Sequence, residues 1–425
     1  MNGSQNPAIQ APPRISGAFW ALWVGHAFSL FGSMLVQFAL VWWIARTTDS
    51  ATALSMATLL ALLPGVLLGP AIGALVDRWD RRTIMVVSDG GMASLTLGLA
   101  ILAATGSLDL GPVYAVMFFR SLMETFHWSA LQASIALMVP ERHLARVAGL
   151  NQALSGALNM IAPPAGAILL GVLPLPGVLM VDVLTALLAL LTLLVIAIPR
   201  PSQGIAARPS WWREMLEGLN YVRRWSGALA LMGMGALINF AVNPAFALLP
   251  LVVTRHFRGG ALELGWLESA WGIGIISGGL ALGAWGGFRR RIYTTLVGLV
   301  GMGGALLTLG LLPPNAFPAA LGLMFFGGVM NVITNGPIFA ILQAVVPPNL
   351  QGRVLLVMGS VVGLMAPLGM AIAGPVADAL GVQIWFLAGG LACALIGILA
   401  LRIPSIVRLE EQAPAWDPEP DRARG

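Results

Sequence analysis

Long stretches without a charged side chain dominate this chain. From Ala51 to Val76 there is none at all, and runs of similar character recur as far as residue 402. A hydrocarbon core about 30 Å thick is crossed by about 20 helical residues. Inside lipid the backbone must satisfy its own N–H and C=O groups, which a helix does by itself. Apolar runs between polar breaks predict spans near 18–45, 52–75, 84–104, 111–138, 147–173 and 178–198, then near 228–252, 264–286, 292–312, 317–344, 353–376 and 382–402. The expected fold is an all-α integral membrane protein with 12 transmembrane helices. Composition agrees, because 58% hydrophobic and 10% charged residues cannot cover the surface of a soluble 425-residue protein. The polar residues 1–17 precede an apolar run too long for a cleaved signal, so the first helix is expected to be retained. The single cysteine, Cys393, can form no intramolecular disulfide and is expected to pack as a small hydrophobe.

Every basic residue apart from the histidines is an arginine, and the arginines set the orientation. With both termini inside, nineteen fall on the cytoplasmic side, while Arg46, Arg255 and Arg258 fall outside and Arg120 lies within a helix. That bias follows the enrichment of basic residues in cytoplasmic loops. A basic net charge of +5 would suggest nucleic acid in a soluble chain; here topology accounts for it, and no nucleic-acid partner is expected. Trp42, Trp43 and Trp385 read as interface-belt tryptophans.

The chain divides into a cytoplasmic segment (1–17), a six-helix bundle (18–198), a linker (199–226), a second bundle (227–408) and an acidic, proline-containing tail (409–425) whose composition favours disorder. Within the linker, Trp211, Trp212, Met215, Leu216, Leu219 and Val222 recur at helical spacing, which predicts an amphipathic helix lying along the inner leaflet and tethering the halves, with a soluble docking helix as the alternative. The halves read as a duplication: Val139-Pro140 and Arg146-Val147 recur as Val346-Pro347 and Arg353-Val354, both at a spacing of 207.

One loop carries a specific motif. Asp77-Arg78-Trp79-Asp80-Arg81-Arg82, four residues after Gly73, packs five charges into six residues between the second and third runs. It resembles the signature between helices 2 and 3 of the major facilitator superfamily, with Asp80 where that pattern usually has glycine. On that resemblance Asp77 would bond arginine or cap a neighbouring helix, locking the inward ends of the two halves, with Arg81 and Arg82 meeting cytosol and headgroups. Gly283 to Arg291 looks like a second copy that has kept its arginines and lost its acids. In helix 5, Gly156, Pro163, Pro164 and Gly166 resemble the Gly-Pro motif of superfamily exporters.

Ionisable groups inside spans are costly and mark function. Arg120 and Glu124 stand four apart on one face of helix 4, which predicts an arginine–carboxylate pair able to take up and release a proton. Asp182 near the start of helix 6 reads equally as an N-cap or as a substrate or proton site, and Glu268 in helix 8 suggests the same site role. His127, one turn further on, could relay a proton, but the expected reading is a hydrogen-bonded packing histidine. His26, Asn239, Asn331 and Asn335 are further candidates for the cavity wall or for bonds between helices. Asn331 is the repeat mate of Glu124 (331 minus 124 is 207), which would put both beside one cavity.

Val139 to Gly166, Asp182 and the segment Trp211 to Trp225 resemble the macrolide-efflux and enterobactin-exporter branch. That resemblance implies proton-driven export of hydrophobic or amphipathic small molecules by alternating access, in a bacterial cytoplasmic membrane. The expected partners are the lipid bilayer, the substrate and protons. The chain is expected to act as a monomer, with no cofactor beyond the proton gradient. No zinc-protease, Walker or nucleophile-elbow motif is present, so no enzyme activity is expected. A metabolite importer or facilitator of the same fold and a ligand-binding membrane receptor remain the alternatives at this stage.

Overall fold

The computed structural model describes residues 15–76, 78–196 and 211–409. Helices account for nearly all of it. The first half comprises α1 (Gly17–Thr48), α2 (Ala51–Val76), α3 (Arg81–Ala104), α4 (Leu110–Met138), α5 (Glu141–Val172) and α6 (Leu175–Val195). After a linker helix α7 (Trp211–Arg224) come α8 (Ser226–Ala247), the short α9 (Leu249–Leu251) and a π turn (Val252–His256). The second half continues through α10 (Ala261–Trp285), α11 (Arg291–Leu311), α12 (Phe317–Val345), α13 (Pro348–Leu380), α14 (Ile384–Ala400) and the short α15 (Pro404–Val407). Ten of these helices are long and apolar enough to cross a membrane. Of the other two long ones, α4 is interrupted by Arg120, Glu124 and His127, and α14 has only 17 residues.

Polar bonds and glycine contacts both hold the bundles together. In the first, polar side chains join α1, α3, α4 and α6. In the second, glycines let backbones touch: a Cβ on Gly274 would sit 2.1 Å from the Phe325 carbonyl, and one on Gly390 would sit 2.4 Å from Leu307 N. Small residues at such crossings are how membrane helices gain packing without a hydrophobic driving force between them.

Arginine side chains bond helix carbonyls at the end of the molecule that carries the charged loop. Arg81 Nη1 donates to the Ala133 carbonyl at 2.8 Å, and Arg82 donates to the Leu193 carbonyl at 2.8 Å and to the Leu194 carbonyl at 2.5 Å. Leu193 and Leu194 belong to the last turn of α6, whose carbonyls lack intrahelical donors and whose dipole end favours a cation, whereas Ala133 lies five residues before the end of α4. Arg81 and Arg82 therefore tie α3 to α4 and α6 instead of reaching only for cytosol and headgroups. Arg291 repeats the device in the second half, donating to the Ala340 carbonyl at 3.0 Å, 207 residues on from Ala133.

Two surface expectations change. Val222, Tyr221 and Trp225 at the end of α7 are buried against the second bundle, where burial raises the Tyr221 phenol above its usual value, and Glu217 pairs with Arg353 of α13. The linker helix is thus docked on the second bundle, with Leu216 left exposed. Trp42 and Trp385 are buried in protein, Trp385 donating to the Ala373 carbonyl at 3.0 Å, so neither belongs to an interface belt. Cys393 is buried, as expected of a small hydrophobe.

Candidate functional site

The bundles touch along two seams, α2 against α13 and α5 against α10. At the end away from the charged loop, α2 and α13 are in contact: a Cβ on Gly374 would lie 2.3 Å from Thr52 Cα. Asp378 of α13 accepts there from the backbone N–H groups of Ala51 (2.9 Å) and Thr52 (3.0 Å) and from the Thr52 hydroxyl (2.8 Å). It caps the positive N-terminus of a helix in the other bundle. Arg255, brought there by the π turn after α8, donates to the Asp49 carboxylate at 2.8 Å and to its carbonyl, and lies 3.8 Å from Asp378.

Along the second seam the helix 5 prolines have an identifiable effect. Pro164 has no N–H to give the carbonyl four residues back, that of Met160. The Ser269 hydroxyl of α10 supplies the missing donor at 2.8 Å. Gly265 of α10 lies against Pro163 and Pro164, where a Cβ would come within 3.0 Å of the backbone. Gly166 faces inward, its absent Cβ leaving room for Phe38 of α1, while Gly156 has nothing within 4 Å.

Toward the charged loop the helices part. Gly65, Val66 and Gly69 of α2 and Leu355, Gly359, Ser360 and Gly363 of α13 line a cleft of about 460 Å³. It adjoins a cavity of about 490 Å³ in the first bundle through Gly65, Val66 and Gly69, and one of about 500 Å³ in the second through Leu355 and Gly359. The molecule is closed at one end and cleft at the other, which is the shape of a carrier open to one side.

The first cavity is lined by His26, Met92, Glu124 and Trp128, with Asp89 and His127 in its wall. Glu124 is exposed to it, and Arg120 is not its partner. Arg120 Nη1 instead lies 2.6 Å from Asp182 Oδ2, with both side chains buried; Thr96 donates to Asp182 at 2.9 Å, and Arg120 also bonds Thr96 and Ser33, the latter at 3.0 Å. The helical i, i+4 spacing suggested the wrong carboxylate because a buried guanidinium stays charged only beside a buried counter-charge, and the one at hand comes from α6. Asp182, eight residues beyond the N-cap Pro174, is part of this network and is not a helix cap.

In the second cavity Asn239, Asn331 and Asn335 face the opening, yet their amide nitrogens bond mostly along their own helices: Asn335 donates to the Asn331 carbonyl at 2.9 Å and Asn239 to that of Gly235 at 3.0 Å. They present polar atoms to the opening more than they join helices. Glu124 and Asn331 line separate cavities joined through the cleft. Glu268 faces a third space of about 350 Å³ between the bundles, with Gln37, Phe38, Asn159 and Phe246.

Of the charged loop, Arg78 is exposed and Asp80 caps α3, accepting from the Thr83 hydroxyl at 2.8 Å and from its N–H at 3.3 Å. The acid standing where the resembled motif has glycine thus has a local task. Gly73 has nothing within 4 Å of its Cβ position, and Asp77 lies outside the described residues. Sequence reading passed over Asp89, Asp49 and Asp378; Asp89 was detectable as the one acid between Asp80 and Asp109.

Residues 22–370 match the family model described as Major Facilitator Superfamily. The chain belongs to that superfamily. Macrolide efflux protein A of Streptococcus pyogenes is 34% identical over 393 residues, covering 92% of this chain and 97% of its own length. Multidrug efflux pump Tap of Mycolicibacterium fortuitum is 26% identical over 393 residues, 89% of this chain and 94% of that protein. In fold, the chain is similar to a bacterial homolog of the human lysosomal transporter Spinster, solved inward-facing and unoccupied, with a TM-score of 0.69 at 14% identity over 96% of this chain and all of that one. This superfamily member is a multi-pass membrane transporter, in contact with the bilayer and with small-molecule substrates.

Proposed function

We propose that the protein exports hydrophobic or amphipathic small molecules carrying a basic amine, in exchange for protons, as a monomer in a bacterial cytoplasmic membrane. The observation that carries this reading is an exposed carboxylate, Glu124, in an otherwise largely apolar cavity that opens toward the arginine-bearing end. All twelve long helices cross the bilayer in this reading, with both termini cytoplasmic, so the cleft faces the cytoplasm and the Asp378–Arg255 contacts form the outer gate. The similarity to proteins named for macrolide and multidrug efflux supports the substrate class.

A lipophilic amine would enter through the cleft, place its apolar body against Leu30, Leu62, Val66, Met92 and Trp128, and set its charge beside Glu124. Arg120 and Asp182 hold α1, α3, α4 and α6 in one body. Asn239, Asn331 and Asn335 give the opposite wall polar atoms. Export requires the Asp378 cap, the Arg255 bridge and the Ser269–Met160 bond to open while the cleft closes, with Arg78 and Gly73 at the inner closure and Glu268 between the moving halves. The proton gradient is the energy source, and no cofactor or catalytic step is needed.

The test is accumulation of radiolabelled erythromycin, a macrolide with a tertiary amine, in drug-sensitive bacteria. Cells expressing the chain should hold several-fold less label than cells without it, and a protonophore should abolish the difference. Greater accumulation on expression would mean import, and equal accumulation would remove this substrate class.

A further inference from the structure

Asp89 is 1% exposed and neither of its carboxylate oxygens accepts a hydrogen bond. The cation nearest to it is a potential one: His127 Nε2 of α4 stands 3.4 Å from Asp89 Oδ1, with both side chains buried. His26 of α1 stacks on His127 with ring centroids 5.3 Å apart and planes 18° apart, and its Nδ1 is buried without a partner. At Gly91 of α3 the side chain of Met123 of α4 fills the space a Cβ would take. All three side chains line the same cavity as Glu124.

The Arg120–Asp182 pair nearby is a useful contrast. Its charges are matched by Thr96 and Ser33 and by a guanidinium that does not release its proton. Asp89 has no such support, so its charge depends on whether His127 carries a proton. The groups facing the cluster are His26 from α1, Glu124 and Arg120 from α4 and Asp182 from α6, while α2 brings no titratable side chain within 51–76.

We propose that Asp89 and His127, with His26 stacked over them, form the proton-carrying site of the transporter, so that the coupling proton sits behind Glu124 and not on it. This rests on the exporter reading above. With one proton bound, imidazolium and carboxylate sum to zero charge. Loss of that proton from His127 to cavity water breaks one N–H bond and leaves a neutral imidazole, a carboxylate and one unbalanced negative charge. A cationic amine entering beside Glu124 balances it. In the outward-facing state a proton returning to His127 restores the neutral pair and releases the amine.

The chain has four histidines, at 26, 127, 143 and 256, so ring-¹⁵N labelling of the full chain in lipid nanodiscs allows each to be assigned by single His→Gln replacement. The His127 ring should titrate in the wild type, and Asp89→Asn should move its midpoint by at least about tenfold in proton concentration. A His127 ring that stays neutral from pH 4 to 9, or that titrates identically in Asp89→Asn, would overturn the proposal. In proteoliposomes, accumulation of erythromycin driven by a pH gradient should fall at least tenfold in Asp89→Asn and persist in Ser94→Ala, an exposed position further along α3. Undiminished accumulation in Asp89→Asn would place the proton elsewhere while leaving the exporter reading intact. A wild type that accumulates nothing would overturn the exporter reading, and the histidine titration would still decide whether Asp89 and His127 share a proton.

Discussion

Asp182→Asn isolates the contact that sequence spacing misassigned. The replacement keeps the shape of the side chain and removes the charge facing Arg120, whose side chain is 10% exposed. Leaving one member of a buried pair without its counter-charge costs about 3–5 kcal/mol in soluble proteins. Thr96 and Ser33 still contact the guanidinium, so the lower figure is the better guide. At about 2–4 °C per kcal/mol for a unit of 150–250 residues, the unfolding midpoint should drop by roughly 6–12 °C. Purified variants in detergent, followed by intrinsic tryptophan fluorescence during heating, give that midpoint directly. Glu124→Gln should move it by less than about 2 °C, because Glu124 is exposed to the cavity and Arg120 is paired with Asp182 instead. The double replacement Arg120→Met with Asp182→Leu should recover much of the loss, since it removes both charges together. The reasoning fails if Glu124→Gln destabilises as much as Asp182→Asn, or if the double variant shows the summed losses of the two singles.

Three further outcomes follow from the seams and the packing. Asp378→Ala removes the acceptor for the N–H groups of Ala51 and Thr52, so spin labels at Ser107 and Asn315, on two loops at the closed end, should show a new population at longer distance; an unchanged distribution would deny Asp378 a part in closure. Ser269→Ala leaves the Met160 carbonyl without a donor at a loss of about 1 kcal/mol, and should shift the same distribution about fivefold toward the longer distance. Gly274→Ala drives a methyl group into the Phe325 carbonyl and should abolish a monodisperse preparation on gel filtration, whereas Gly283→Ala, with nothing within 4 Å, should behave as wild type.

The helical frame was readable because lipid imposes a length and a charge rule on each span. The run expected at 18–45 is the helix Gly17–Thr48, and that expected at 353–376 is Pro348–Leu380. The expected 228–252 is cut at Ala247, where Pro244 and Pro250 and a π turn redirect the chain and carry Arg255 to Asp49 and Asp378. Pairings between helices were much less readable. Asp182 lies 62 residues from Arg120 and Asp378 lies 327 from Ala51, so local spacing offered nearer but wrong partners. Asp89 stands out as a lone acid in an apolar run, but nothing local names its partner until His127 is set beside it. The duplicated halves were visible as repeated segments, yet only the geometry shows that Arg81 and Arg291 bond carbonyls 207 residues apart.

Exchange of substrate for protons is most directly tested by letting the substrate drive the proton. Proteoliposomes loaded with N-methylerythromycin, whose quaternary nitrogen has no proton of its own to leave behind, are diluted into drug-free buffer at equal pH, with a pH-sensitive dye trapped in the lumen. Efflux through the protein should acidify the lumen, and only in vesicles that contain it. Efflux with no change in luminal pH, or with alkalinisation, would contradict proton-coupled export.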